Sequence, residues 1–146
     1  MTIKEQLTAD LKDTMRAQDK KKLGVLRLIT AAIKQIEVDE RIDVDDARVL
    51  VILDKMVKQR KESLQQFQAA GRDDLVAQEQ YELELIQGYL PTPLTDAEIS
   101  VLIEDAFRIT QAEKLSDMGK VMAHLKPLMQ GRADMSKISA LIKERL

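Results

Sequence analysis

The stretch Tyr89-Leu90-Pro91-Thr92-Pro93-Leu94-Thr95 decides how the chain is divided, and it carries two of the three prolines. Proline has no backbone donor and pushes the residue before it out of the helical region. Two prolines one residue apart therefore end the helix before them and stiffen the connection. Thr95 and Glu98 follow at once in capping-box spacing, which starts a new helix. The pattern predicts a rigid elbow at residues 91–94. An N-terminal domain over 1–90 precedes it, and a smaller C-terminal domain over 95–146 follows.

Upstream, apolar residues recur at helical spacing. Ile3, Leu7, Leu11 and Met15 form one narrow stripe, predicting a helix to about Ala17. Asp19 reads as the N-cap of a second helix. Its broad apolar set (Leu23, Val25, Leu26, Leu28, Ile29, Ala32, Ile33, Ile36) predicts a central position. Lys20, Lys21 and Lys22 crowd its first turn, the unfavourable end of the dipole for cations, and read either as a solvated start or as an anion-facing patch. Residues 37–46 read as an acidic loop. Asp45 and Asp46 open a third helix to about Ala70, with Leu50, Leu53, Val57, Leu64 and Phe67 inward and Arg60 at the intervening seam position. Gly71 stops it. A fourth helix, from Asp73 and Asp74 to Gly88, turns Leu75, Leu83, Ile86 and Tyr89 inward, with Glu79 and Glu82 at its weaker turns. Short loops between amphipathic helices make an antiparallel bundle the natural arrangement.

Downstream of the elbow three more helices are predicted. The first covers about 96–111, with Ile99, Leu102, Ile103 and Ala106 inward. The second runs from Asp117 toward Leu128, with Met118, Val121, Met122 and Leu125 inward, and Pro127 ends or kinks it. The third follows Gly131 and an Asp134 N-cap, with Ile138, Leu141, Ile142 and Leu146 inside. No stretch alternates convincingly enough to be a strand, so the fold class is all-α: a bundle of about four helices, then a small three-helix domain. A unit of about 50 residues is marginal alone.

Apolar residues at 45% and charged residues at 33% suit a packed core with a solvated surface. The four aromatics, Phe67, Tyr81, Tyr89 and Phe107, are too scattered for a base-stacking platform. Absence of cysteine excludes disulfides and thiol chemistry, and fits a reducing compartment. With charges from Lys4 onward and no long apolar run, a soluble cytoplasmic protein without membrane contact is the expectation. The sole histidine, His124, has no second histidine to join it as a metal ligand and reads as partly exposed on a helix flank. The glycines are isolated, and no serine has a base or oxyanion signature nearby. No metal, cofactor or catalytic set is therefore expected.

Two constellations remain. Lys55, Lys58, Arg60 and Lys61 lie on the third helix, where Lys58 and Glu62 are spaced to pair. Asp117-Met118-Gly119-Lys120 opens the sixth helix. There Gly119 either leaves first-turn amides uncovered for an anion or merely allows close helix packing. Net charge is −2, but from Thr95 onward the acids lie mostly before Lys120 and the bases mostly after it. Such a local basic patch can bind an anion on an acidic protein.

These motifs also resemble a known family. Lys58-Gln59-Arg60-Lys61-Glu62-Ser63-Leu64, then Phe67, Ala70-Gly71-Arg72 and Asp74-Leu75, resemble the N-terminal signature of the YqeY-like family. Tyr89-Leu90-Pro91 with Leu94 resembles its interdomain motif. Asp117-Met118-Gly119-Lys120-Val121-Met122 with Gly131-Arg132-Ala133-Asp134 resembles its C-terminal signature. The match runs in order along the whole chain, departing at Met135, where glycine is frequent. The family is similar to the C-terminal part of GatB, a subunit of the amidotransferase that converts Glu-tRNA or Asp-tRNA to Gln-tRNA or Asn-tRNA. The resemblance implies a tail that helps hold tRNA and an association with glutamine-dependent carbon–nitrogen ligation. The catalytic parts of that complex have no counterpart here.

Two functional expectations follow. In the first, Gly119, Lys120, Lys126, Arg132, Lys137 and Lys143 meet RNA phosphates from one face, with Lys55, Lys58, Arg60 and Lys61 as a secondary patch. The partners are then tRNA and an amidotransferase or other translation-related protein. In the second, the chain is a helical protein–protein adaptor without nucleic-acid binding. It would use apolar side chains, Met118, Met122 and Met129 among them, near the sixth helix or the elbow.

Overall fold

The computed structural model describes residues 1–146 and contains helices and no strand. The chain divides into two compact units, Met1–Leu90 and Pro91–Leu146. The first holds α1 (Ile3–Arg16), α2 (Lys20–Glu40), α3 (Asp46–Ala69) and α4 (Asp73–Gln87). The second holds α5 (Asp96–Thr110), a short 3-10 turn (Leu115–Asp117), α6 (Met118–Met129) and α7 (Met135–Arg145).

Side-chain caps start most of these helices by satisfying amides that no turn of helix can reach. In α1 the Thr2 hydroxyl accepts from the Glu5 amide at 3.1 Å, and the Glu5 carboxylate accepts from the Thr2 amide at 3.2 Å. Asp19 accepts from the Lys22 amide and Asp45 from the Arg48 amide, opening α2 and α3. No side chain caps α4, but Asp73 and Asp74 place carboxylates in its first turn, the end that favours them.

The first core joins Leu7 of α1, Leu26 and Ile29 of α2, Val49 and Leu53 of α3, and Ile86 of α4. Its details correct several expectations. Met15 is exposed, and Thr14 takes the buried place at the end of the α1 stripe. Leu28 is 46% exposed, so α2 buries one side only: Val25, Leu26, Ile29 and Ile33. On α3 the buried set is Val49, Ile52, Leu53, Met56, Val57 and Leu64, while Leu50 and Phe67 stay partly exposed. Residues 37–40, expected in a loop, continue α2 until Arg41 turns left-handed (φ 54°). The Glu37 carboxylate explains this order. It takes the Lys4 ammonium at 2.6 Å and the Val44 amide at 3.2 Å, and Val44 is buried beside it. The Lys4 bond holds Glu37 below the ordinary carboxylate range and raises Lys4 above the ordinary lysine value. Lys21, from the cluster at the α2 start, lies 4.1 Å from the Tyr81 ring centroid on α4, a cation–π contact.

Tyr89 closes this unit. Its hydroxyl donates to the Asp10 carboxylate at 2.5 Å, tying the segment after α4 to α1. Burial, then this bond, drives the phenol pKa well above its ordinary value.

The second core joins Ile103 and Ala106 of α5, Val121, Leu125 and Met129 of α6, and Ile138 and Ile142 of α7. Leu141, expected inside, is 44% exposed. Helix α6 runs two residues past Pro127, which forgoes the hydrogen bond its missing N–H would have made one turn back.

Candidate nucleic-acid interface on the C-terminal unit

The capping box that opens α5 is formed. The Thr95 hydroxyl accepts from the Glu98 amide at 3.2 Å, and Glu98 accepts from the Thr95 amide at 3.2 Å. That backbone bond holds Glu98 below the ordinary carboxylate range. Residues 91–94 are tied to the rest of this unit. The Leu94 amide donates to the Arg132 carbonyl at 2.8 Å, and Arg132 Nε donates to the Thr92 carbonyl at 3.0 Å. Arg132 thus clamps the proline segment as well as carrying charge.

Charge is segregated along this unit. Residues 95–119 hold six acids and two bases, whereas residues 120–146 hold six bases and two acids. The acids go with α5 and the turn after it; the bases go with α6, α7 and, at Arg132, the link between them. Lys126, Lys137 and Lys143 are exposed and form no ion pair with any carboxylate. Lys126 and Lys143 stand in the last turns of α6 and α7, where the helix dipole favours cations. Lys120 reaches Asp117 at 3.6 Å and is 66% exposed. Lys120 and Lys126 are six residues apart, as are Lys137 and Lys143. At about 100° per residue each pair is spread by about 120° around its helix, so the bases wrap α6 and α7 rather than forming one line.

The 3-10 turn leads directly into α6, with Asp117 at its N-cap position but without a side-chain cap bond. Asp117 ends the 3-10 turn and accepts from the Glu113 and Lys114 amides at 3.0 and 3.1 Å. Those bonds, and less strongly Lys120, hold its carboxyl below the usual range. Gly119 is exposed, and a methyl group placed there would meet nothing within 4 Å. Close helix packing therefore does not explain this glycine, which leaves open backbone at the surface of the first turn.

In the N-terminal unit Lys55, Lys58 and Lys61 face solvent, and Lys58 does not pair with Glu62. Arg60 leaves this set and turns into the α3–α4 seam. Its Nε lies 3.4 Å from Glu82, within ion-pair reach but without hydrogen-bond geometry. Both side chains are mostly buried, and burial with the neighbouring Glu82 charge raises the pKa of Glu79 beside them. The sequence marked Arg60, and Glu79 with Glu82, as polar interruptions of apolar seams, but not which of them pair.

Met129 is fully buried, and Met118 and Met122 are half-buried against the second core, so they make no apolar patch on α6. His124 is partly exposed. No three His, Asp or Glu side chains gather into a metal-binding group, and no helix is long and apolar enough to cross a membrane.

These features define an all-α protein of two compact units, the second with an acidic first helix and a basic pair after it. The chain belongs to the YqeY-like family, whose model ("Yqey-like protein") matches residues 4–146. Its curated relatives include "Altered inheritance of mitochondria protein 41, mitochondrial" from three fungi. The Pyrenophora tritici-repentis protein is 33% identical over 143 residues, covering 95% of this chain and 78% of the relative. The Eremothecium gossypii protein is 42% identical over 103 residues, 69% of this chain and 56% of the relative. The Saccharomyces cerevisiae protein (strain YJM789) is 30% identical over 125 residues, 82% and 68%. The chain thus spans little more than half of the Eremothecium relative. These names overturn the cytoplasmic expectation, because the relatives are mitochondrial proteins. A cysteine-free composition does not single out one compartment.

Proposed function

We propose that this chain is a tRNA-binding accessory protein that carries RNA on the basic surface of α6 and α7. The supporting observation is the set of exposed lysines without carboxylate partners, Lys126, Lys137 and Lys143, on helices whose acids are few. A lysine already neutralised by a neighbouring carboxylate releases no counterion from RNA; an unpaired one does. Gly119 adds open backbone near Lys120 at the start of α6. The family's similarity to the tail of GatB supports tRNA as the ligand and a glutamine-dependent amidotransferase as the associated system. The role follows from holding RNA, not from reaction chemistry within this chain. The relatives' name describes a phenotype, altered mitochondrial inheritance, and specifies no ligand.

The test is an electrophoretic shift with bulk tRNA at low salt, comparing wild type with Lys126→Glu/Lys143→Glu. Wild type forms a complex at micromolar protein, and the double variant loses it while keeping its helical circular dichroism. Equal shifts, or no shift from wild type, would refute the proposal.

A further inference from the structure

The C-terminal unit carries a second surface, a groove with more acids than bases. Helix α6 packs against both α5 and α7, while α5 and α7 meet each other only slightly. Two ties fix their relative direction. The Leu94–Arg132 backbone bond joins the segments leading into α5 and α7, and the Glu104–Arg145 ion pair at 2.8 Å joins them further along. The two helices therefore run side by side in the same direction, with a groove of about 500 Å³ between them. Ile99 and Ile103 of α5 and Ile138 and Leu141 of α7 give it an apolar lining.

The charge around the groove selects an occupant. With Glu104 held by Arg145, the remaining charged residues at the groove are Asp96, Asp134, Glu144 and Lys137. Three acids against one base disfavour a phosphate backbone and favour a cationic guest. From Asp96 to Glu104 the wall is about 12 Å long at about 1.5 Å per residue, room for two to three turns of helix. We infer that the α5–α7 groove is a docking site for a short amphipathic helix of a partner protein, with an apolar stripe flanked by lysine or arginine. The guest would add a fourth helix to a unit that has little core of its own. This inference is tested separately from the RNA proposal: Lys137 borders both surfaces, but the lysines substituted there, Lys126 and Lys143, do not line the groove.

The experiment uses the full chain and three fluorescent 14-residue peptides. One has a leucine stripe flanked by lysines, one has the same stripe flanked by glutamates, and one is a scrambled lysine peptide. Fluorescence anisotropy should show the basic amphipathic peptide binding at least about tenfold tighter than either control. Amide shifts in heteronuclear spectra should cluster on α5 and α7. Leu141→Glu adds an acid, so a purely electrostatic association would strengthen; groove docking should instead weaken by about tenfold or more. Ser100→Arg, at an exposed groove position, should also weaken it and serves if Leu141→Glu fails to fold. Equal binding of the acidic peptide, stronger binding by Leu141→Glu, or shifts centred elsewhere would overturn the inference. Self-association in sedimentation that Leu141→Glu abolishes would make the occupant a second copy of this chain and overturn it as well.

Discussion

Replacing Tyr89 by Phe removes one hydroxyl and leaves the ring packed on the first core. The lost bond is the one from Tyr89 to the Asp10 carboxylate, at 2.5 Å. Hydrogen bonds to charged groups contribute about 1.5–3 kcal/mol. Asp10 is half-buried and keeps a second donor, Gln6 Nε2 at 2.8 Å, so the lower part of that range applies, about 1.5–2 kcal/mol. For a unit of this size that is a fall in midpoint of roughly 6–16 °C. Both tyrosines, Tyr81 and Tyr89, lie in the N-terminal unit and the chain has no Trp, so tyrosine fluorescence during a thermal melt reports that unit alone. Tyr81 remains as the reporter in the variant. A double-mutant cycle with Asp10→Asn should return a coupling of about 1 kcal/mol. The pH dependence has a definite sign. The phenol pKa is raised in the folded state, so its contribution is full below the unfolded value of about 10 and is lost as pH rises through the folded value. Wild type should therefore lose more stability than Tyr89→Phe above pH 10. A midpoint change under about 1 °C, zero coupling, or identical alkaline losses would refute the reasoning.

Other perturbations bear on the seam and on α6. Arg60→Met should cost about 2–3 kcal/mol in urea unfolding, because Glu82 keeps a mostly buried charge without its partner; adding Glu82→Leu should recover most of the loss. No recovery would show that packing of the arginine stem, not charge, sets the cost. Glu79 has a raised folded pKa, so its contribution is present below its ordinary value and lost as pH rises. Glu79→Gln should accordingly be more stable than wild type at pH 7, with the difference shrinking in acid; a less stable variant at pH 7 would contradict this. Gly119→Ala should stabilise the C-terminal unit by about 0.5–1 kcal/mol, since alanine favours helix and nothing crowds the site, while tRNA binding weakens. Destabilisation would mean that the glycine serves the fold.

Much of the helix order was legible because caps and breakers act locally. Asp19, Asp45, Thr95 with Glu98, and Asp134 each show in the sequence the amide they will satisfy three residues or fewer ahead. Thr2 and Glu5 give the same signal at the start of α1. Periodicity located the stripes less well, because 3.6-residue spacing admits neighbours on either side. It placed Leu28 and Leu141 inside although both are nearly half exposed. Pairings across elements were not legible as pairs. Glu37 with Lys4 and Val44, Tyr89 with Asp10, and Arg60 with Glu82 join residues that only the tertiary fold brings together. The candidate site divides the same way. Its basic composition could be counted along the chain, but the Arg132 clamp on Thr92 and the gap between α5 and α7 could not.

The salt dependence of tRNA binding tests the central claim most directly. If three or four cations of α6 and α7 neutralise phosphates, a log–log plot of affinity against salt should fall with a slope of about −3, roughly 60-fold between about 50 and 200 mM. Lys126→Glu/Lys143→Glu should flatten that slope by about 2. A slope near zero, or one left unchanged by the double variant, would contradict the account.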